Sequence, residues 1–205
     1  MPTFQQFAEE AASRGEFINT FFEEAVFHLM GVLQRISVPL ENAGVPHELI
    51  GGLAVLIHVE RANAEYGRTT KDVDLMIQRC DLQRVIGIAE QHGFRFRHVA
   101  GVDMLCYGET NKAKDAVHLL FSGEKVKPNQ IEPNPPLAPQ NVQVRGQNVS
   151  IIPVADLIRM KLTTNRLVDQ VHVKDMEEVG LITPEIEQSL TPELSQRLQA
   201  IRERD

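Results

Sequence analysis

Asp72 and Asp74 stand one residue apart in KDVDLMI. In a β-strand, residues i and i+2 point to the same side, about 6–7 Å apart along the chain. Val73 and Leu75 then face the other side, where a core would lie. Two neighbouring carboxylates repel unless something positive lies between them. A divalent cation is the usual answer, and Mg²⁺ takes one or two carboxylates together with phosphate oxygens and water. Taken alone, the pair reads more readily as an exposed acidic strand face. The residues before it narrow the choice. Gly51-Gly52 follows the short apolar run His47–Ile50 and precedes a helical stretch, Leu53–Ala64. Glycines at such a turn let a phosphate approach the backbone, where the helix N-terminus offers free N–H donors and a favourable dipole. Arg68 is placed to reach a triphosphate, and Thr70 to tie the loop to the acidic strand. The joint pattern, strand–Gly-Gly–helix–R-x-T-x-D-x-D–strand, is much more specific than any of its parts.

The elements that must position these residues are legible from periodicity. Residues 3–13 read as a short helix and 16–36 as a longer one, with Ile18, Phe21, Phe22, Ala25, Leu29 and Leu33 at helical spacing. Ser37-Val38-Pro39 and Asn42–Pro46 are expected to break it. Lys71–Gln78 reads as a strand. A helix over Asp81–His92 is expected to be N-capped by Asp81 and ended by Gly93. Strands are expected over Phe94–Val99, Asp103–Tyr107 and Ala116–Phe121, giving about four or five in an α/β or α+β arrangement. Residues 127–140 hold five prolines and read as an extended crossing loop. Gln143–Ile152 reads as a hairpin around Gly146-Gln147. Helices are expected over Val154–Asn165, Asp169–Val179 and Pro192–Arg202, the last capped by Thr191. The expected organisation is a helical segment over 1–44, a core over 45–126, the proline-rich loop over 127–140, and a hairpin with C-terminal helices over 141–205.

Composition limits the functions available. The chain has 205 residues, 42% of them apolar and 24% charged, which is enough to bury a core without metal or disulfide. The formal charge of −7 argues against nucleic-acid binding by bulk charge and leaves only a local basic patch, for which Arg159, Lys161, Arg166 and Lys174 are the candidates. Two cysteines, Cys80 and Cys106, exclude a disulfide scaffold or a cysteine-based zinc site. The N-terminal residues lack a basic region followed by an apolar run, and no window approaches the roughly 18 apolar residues of a membrane helix. A cytoplasmic location is expected.

GGLAVLIHVERANAEYGRTTKDVDLMI resembles the first motif of the nucleotidyltransferase fold, the polymerase-β-like superfamily. Within it the sequence looks like AbiEii-type and MenT-like toxin nucleotidyltransferases and uncharacterised bacterial relatives. VADLIRMKLTTNRLVDQVHVKDMEEVGLI is similar to that family's downstream helical motif. The resemblance implies an α+β fold: a small mixed twisted sheet flanked by helices, with helical additions at both ends. It implies that Gly51, Gly52, Arg68, Thr70 and Lys161 hold the phosphates of a nucleoside triphosphate (NTP). It implies that Asp72 and Asp74 hold Mg²⁺ or Mn²⁺, and that Asp175 supports the site, with Asp169 the alternative acid. The implied activity is transfer of a nucleoside monophosphate to an acceptor that is an RNA such as tRNA, a protein or a small molecule. A cognate antitoxin is an implied partner. The alternative is a module of the same fold that binds nucleotide or a protein partner without turnover.

One departure bears on catalysis. Many members carry a third carboxylate on a neighbouring strand, acting as base or completing a two-metal site. In DAVHLLFSGEKV that place falls on His118. Either His118 replaces the acid, or Asp115 reaches in from the strand end, or the acid is absent. A neutral imidazole accepts a hydroxyl proton or ligates a metal. Lys125, after that strand, is a candidate for the pocket mouth.

Overall fold

A computed structural model describes residues 4–63, 70–108 and 116–204, and of residues 4–21 and 23 the backbone alone. A long helix α1 (Phe4–Asn42) leads into strand β1 (His47–Ile50), helix α2 (Gly51–Ala62) and strand β2 (Val73–Ile77). A single 3₁₀ turn, Arg79–Asp81, opens helix α3 (Leu82–Gln91). Strands β3 (Phe94–Val99), β4 (Val102–Tyr107) and β5 (Ala116–Phe121) follow, then the hairpin β6 (Gln140–Val144) and β7 (Gln147–Ile151). Helices α4 (Val154–Thr164), α5 (Leu167–Glu178), α6 (Pro184–Gln188) and α7 (Pro192–Arg202) complete the described chain.

The strands form one seven-stranded sheet in the order β3-β4-β5-β2-β1-β7-β6. The β2–β5 and β1–β7 pairs are parallel and the others antiparallel. The hairpin therefore extends the sheet instead of standing apart, which is why the expected four or five strands become seven. Its turn residues are Arg145 and Gly146, both at positive φ (50° and 78°), so the tight turn sits one residue earlier than the sequence suggests.

The two faces of the sheet differ. Val73, Leu75, Ile77, Leu105, Val117, Leu119 and Phe121 are buried on one face, where Arg35 of α1 also lies against Tyr107. On the other face Asp74, Met104, His118 and Leu120 are half-buried, although Met76, Cys106 and Ala116 are covered. A single apolar cluster runs from Val26 in α1 to Ile201 in α7.

Three helical expectations need correction. The helices read over 3–13 and 16–36 are one helix, and Ser37-Val38-Pro39 does not break it: α1 runs on to Asn42 with Pro39 inside. Ile36 and Leu40 are fully buried there, and burying two such side chains, at about 1.5–3 kcal/mol each, offsets the roughly 3 kcal/mol a helical proline costs. Asp81 and Thr191 occupy N-cap positions without a side-chain cap bond; Thr191 Oγ1 instead donates to Glu132 Oε1 at 2.9 Å. Helix α6 was not anticipated; its five residues are too few to show a period, though Thr183 and Pro184 mark its start.

Glu48 in β1 is completely buried beneath the proline-rich loop, where its Oε2 accepts the Ala138 N–H at 3.2 Å. Burial pushes its pKa up to about 7; the Ala138 bond opposes this and the charge of Asp156 adds to it. No pattern in the sequence distinguishes it from an ordinary surface glutamate.

Candidate functional site

β1 ends at Ile50 and α2 begins at Gly51, so the diglycine sits at a strand-to-helix junction, as expected. Ile50 pairs with Asp74 across the antiparallel β1–β2 ladder, and Asp74 pairs with His118 across the parallel β2–β5 ladder. Residues in one such row project from the same side of the sheet. Asp74 and His118 meet there: His118 Nδ1 lies 3.0 Å from Asp74 Oδ1. The hydrogen bond to Asp74 raises the His118 pKa above its ordinary value, burial opposes it, and the charges of Asp74 and Asp72 reinforce it. Asp72, expected on the strand beside Asp74, is instead exposed and lies just before β2, which begins at Val73.

The glycines are explained by what crowds them. A Cβ on Gly51 would stand 1.9 Å from Asp74 Oδ2, and Gly51 has φ +76°. A Cβ on Gly52 would stand 2.5 Å from Thr70 Oγ1 and 3.6 Å from His172 Cε1. The missing side chains therefore let the acidic strand, Thr70 and α5 close onto the start of α2. His172 on α5 is a residue of this junction that the sequence did not single out.

Lys161 and Arg166 gather around one carboxylate at the α4–α5 corner. Lys161 is buried and its Nζ lies 3.1 Å from Oδ1 of Asp169, which is fully buried. Asp169 Oδ2 also accepts from Thr164 Oγ1 at 2.8 Å, from the Arg166 backbone N–H at 3.2 Å and from Arg166 Nε at 2.7 Å. Burial alone would raise the Asp169 pKa, but the Arg166 bond, the Lys161 charge and the Thr164 hydroxyl bring it down to about 2. For Lys161 burial dominates and lowers the pKa, against the opposing charges of Asp169 and Asp74. Asp74 also acts electrostatically on Arg166. The carboxylate that meets Lys161 is thus Asp169, the alternative in the sequence reading. Asp175 is buried on α5 six residues later, about 9 Å along the helix and on a different side of it.

The remaining candidates fall elsewhere. Lys125 is exposed beyond the C-terminal end of β5, the end opposite Asp74, where Arg79 binds Glu124 at 2.6 Å. The basic patch does not assemble, because Lys161 is buried and Arg159 turns to the Ser189 carbonyl and to Asp156. Arg68 and Asp115 lie outside the described residues. Among the described residues no cluster of three or more His, Cys, Asp or Glu side chains is arranged to hold a metal, and no helix is long and apolar enough to cross a membrane.

No protein-family description and no curated protein matches the sequence. Solved structures do match. The antibiotic-resistance factor ANT(2'')-Ia in solution is similar over 85% of this chain and 91% of its own, with a TM-score of 0.52 and 13% identity. The crystal structure of ANT(2'')-Ia in complex with adenylyl-2''-tobramycin is similar over 85% and 97% of the two chains, with a TM-score of 0.51 and 12% identity. An antigenic nucleotidyltransferase-like protein from Paracoccidioides brasiliensis is similar over 86% of each chain, with a TM-score of 0.50 and 16% identity. At these identities the likeness is one of fold: the chain is a mixed sheet flanked by helices with the nucleotidyltransferase fold.

Proposed function

We propose that this protein is a nucleotidyltransferase that binds an NTP and transfers its nucleoside monophosphate to an acceptor hydroxyl. The observation that carries the reading is the meeting of Asp74, His118 and the Gly51 junction at one point of this fold. In the reaction the acceptor oxygen bonds to the α-phosphorus, the bond to the β-phosphate breaks, pyrophosphate leaves, and the hydroxyl proton passes to a base. Such chemistry needs positioning and charge neutralisation more than covalent participation by the protein.

Asp72 and Asp74 would hold the divalent cation. The donor set fits Mg²⁺ or Mn²⁺, which use one or two carboxylates and complete their shell with phosphate oxygens and water. One oxygen of Asp74 is engaged by His118, and the other lies over the Gly51 turn. The cation, when bound, neutralises phosphate charge. Gly51 and Gly52 present backbone donors at the helix start. Lys161 and Arg166, fixed by Asp169, supply positive charge toward Asp74; Thr70 stands beside Gly52, and Arg68 is assigned to the phosphates on its sequence motif alone. His118 bonds Asp74 through Nδ1, which leaves Nε2 to accept the acceptor's proton. Asp175 supports α5 behind the site.

The sequence motifs favour a narrower placement beside the AbiEii-type and MenT-like toxins, with a cognate antitoxin as partner. A second reading, a nucleotide-binding module without turnover, is favoured by the imidazole where a third carboxylate is expected. Incubation with each α-phosphate-labelled NTP, Mg²⁺ or Mn²⁺, and cellular RNA, protein and metabolite fractions tests both. Label transfer establishes the enzyme; NTP binding without transfer establishes the module.

A further inference from the structure

The row that joins Ile50, Asp74 and His118 continues across the sheet to Met104 on β4 and Arg97 on β3. Arg95, two residues earlier and paired with Cys106, projects from the same face. Both arginines are exposed, and among the described residues neither is bonded to a carboxylate, whereas Arg79, Arg166 and Arg202 are all engaged in ion pairs. Val99 and Val102, 50% and 39% exposed, flank them on this face, and Met104 lies half-buried between Arg97 and His118. Strands are spaced by about 4.8 Å, which places the Arg97 backbone about 10 Å from that of His118 and about 14 Å from that of Asp74.

We infer that the part of this face around Met104 and the two arginines binds the acceptor, and that the acceptor is a small phosphorylated molecule of sugar-phosphate size. The inference rests on the nucleotidyltransferase reading. An acceptor hydroxyl at His118 and an acceptor phosphate at Arg95 and Arg97 are bridged by one sugar-sized body lying over Met104. Guanidinium groups match phosphate oxygens in a bidentate manner. A polycationic acceptor would meet two arginines that no carboxylate among the described residues neutralises. A nucleic-acid strand needs a longer basic footprint than two arginines on a chain of net charge −7.

The test uses ribose 5-phosphate as probe, with ribose and an eight-nucleotide RNA as comparisons. Each is titrated into the labelled protein in the presence of Mg²⁺ and a non-hydrolysable ATP analogue, and amide shifts are read by NMR. Ribose 5-phosphate is expected to perturb β3 and β4, ribose to bind at least tenfold more weakly, and Arg95→Gln with Arg97→Gln to weaken ribose 5-phosphate at least tenfold while leaving the ATP analogue's affinity unchanged. Equal binding by the double variant, shifts confined to other elements, or arginine-dependent binding of the RNA alone would overturn the inference. So would a variant that loses only monodispersity, because charged edge strands also guard against aggregation. Failure of the wild type to bind the non-hydrolysable analogue of any of the four NTPs sinks the nucleotidyltransferase reading instead, and is measured separately.

Discussion

Glu48→Gln isolates one buried charge and has a computable consequence. The Glu48 carboxyl titrates at about 7 in the folded protein against 4.5 in an unfolded reference. The folded state therefore binds more protons between those values, and stability falls as pH rises from 4.5 to 7. The full difference of about 2.5 units corresponds to about 3 kcal/mol at 1.36 kcal/mol per unit. Glutamine keeps the carbonyl that accepts the Ala138 N–H and cannot ionise. At pH 4 the glutamic acid is neutral too, so the variant and wild type should be equally stable. At pH 8 the variant should be more stable by about 3 kcal/mol, or roughly 6–12 °C in melting temperature for a domain of this size. Comparing the two proteins at each pH cancels the contributions of His47 and His58, whose pKa values burial lowers. Urea denaturation at pH 4, 6 and 8 reads the difference. A gap that does not change with pH, or a variant less stable at pH 8, would refute the reasoning.

Three further outcomes follow from the site. Gly51→Ala places a Cβ against Asp74 Oδ2 at positive φ and should cost roughly 1–3 kcal/mol in urea, whereas Gly87→Ala, with nothing within 4 Å, should be neutral or stabilising. Asp169→Leu leaves Lys161 buried without its bonded carboxylate and should cost about 3–5 kcal/mol, while Asp169→Leu combined with Lys161→Met should recover most of it; no recovery would mean the pair is not a unit. His118→Ala should lower turnover by about 10²-fold with NTP affinity retained. It should also abolish a limb of the pH–rate profile in which activity rises with pH through an imidazole pKa above 6.5, the direction set by Asp74.

The junction was legible because its signals are local and chemically distinctive. Gly51-Gly52, Asp74 and the apolar strands around them lie within about thirty residues, whereas Asp72, read as part of the strand, falls just before it. Strands β1, β3 and β5 fall where their runs of apolar and alternating residues place them. What escaped depends on chain segments distant in sequence. Pro39 is tolerated because Ile36 and Leu40 are buried by elements the helix itself cannot announce. Asp169, not Asp175, meets Lys161 because the left-handed Asn165 (φ 49°) turns α5 back onto α4. Glu48 is buried only because a loop ninety residues later covers it. The arginines of β3 join the acidic row only through three successive strand registers, which no sequence period encodes.

Calorimetric titration of each NTP in the presence and absence of Mg²⁺, into wild type and into Asp72→Asn/Asp74→Asn, tests the central claim most directly. The account predicts Mg²⁺-dependent binding of at least one NTP to the wild type and its loss in the double variant, with the variant still folded by circular dichroism. Equal binding by the two proteins, or no NTP binding by the wild type, would contradict it.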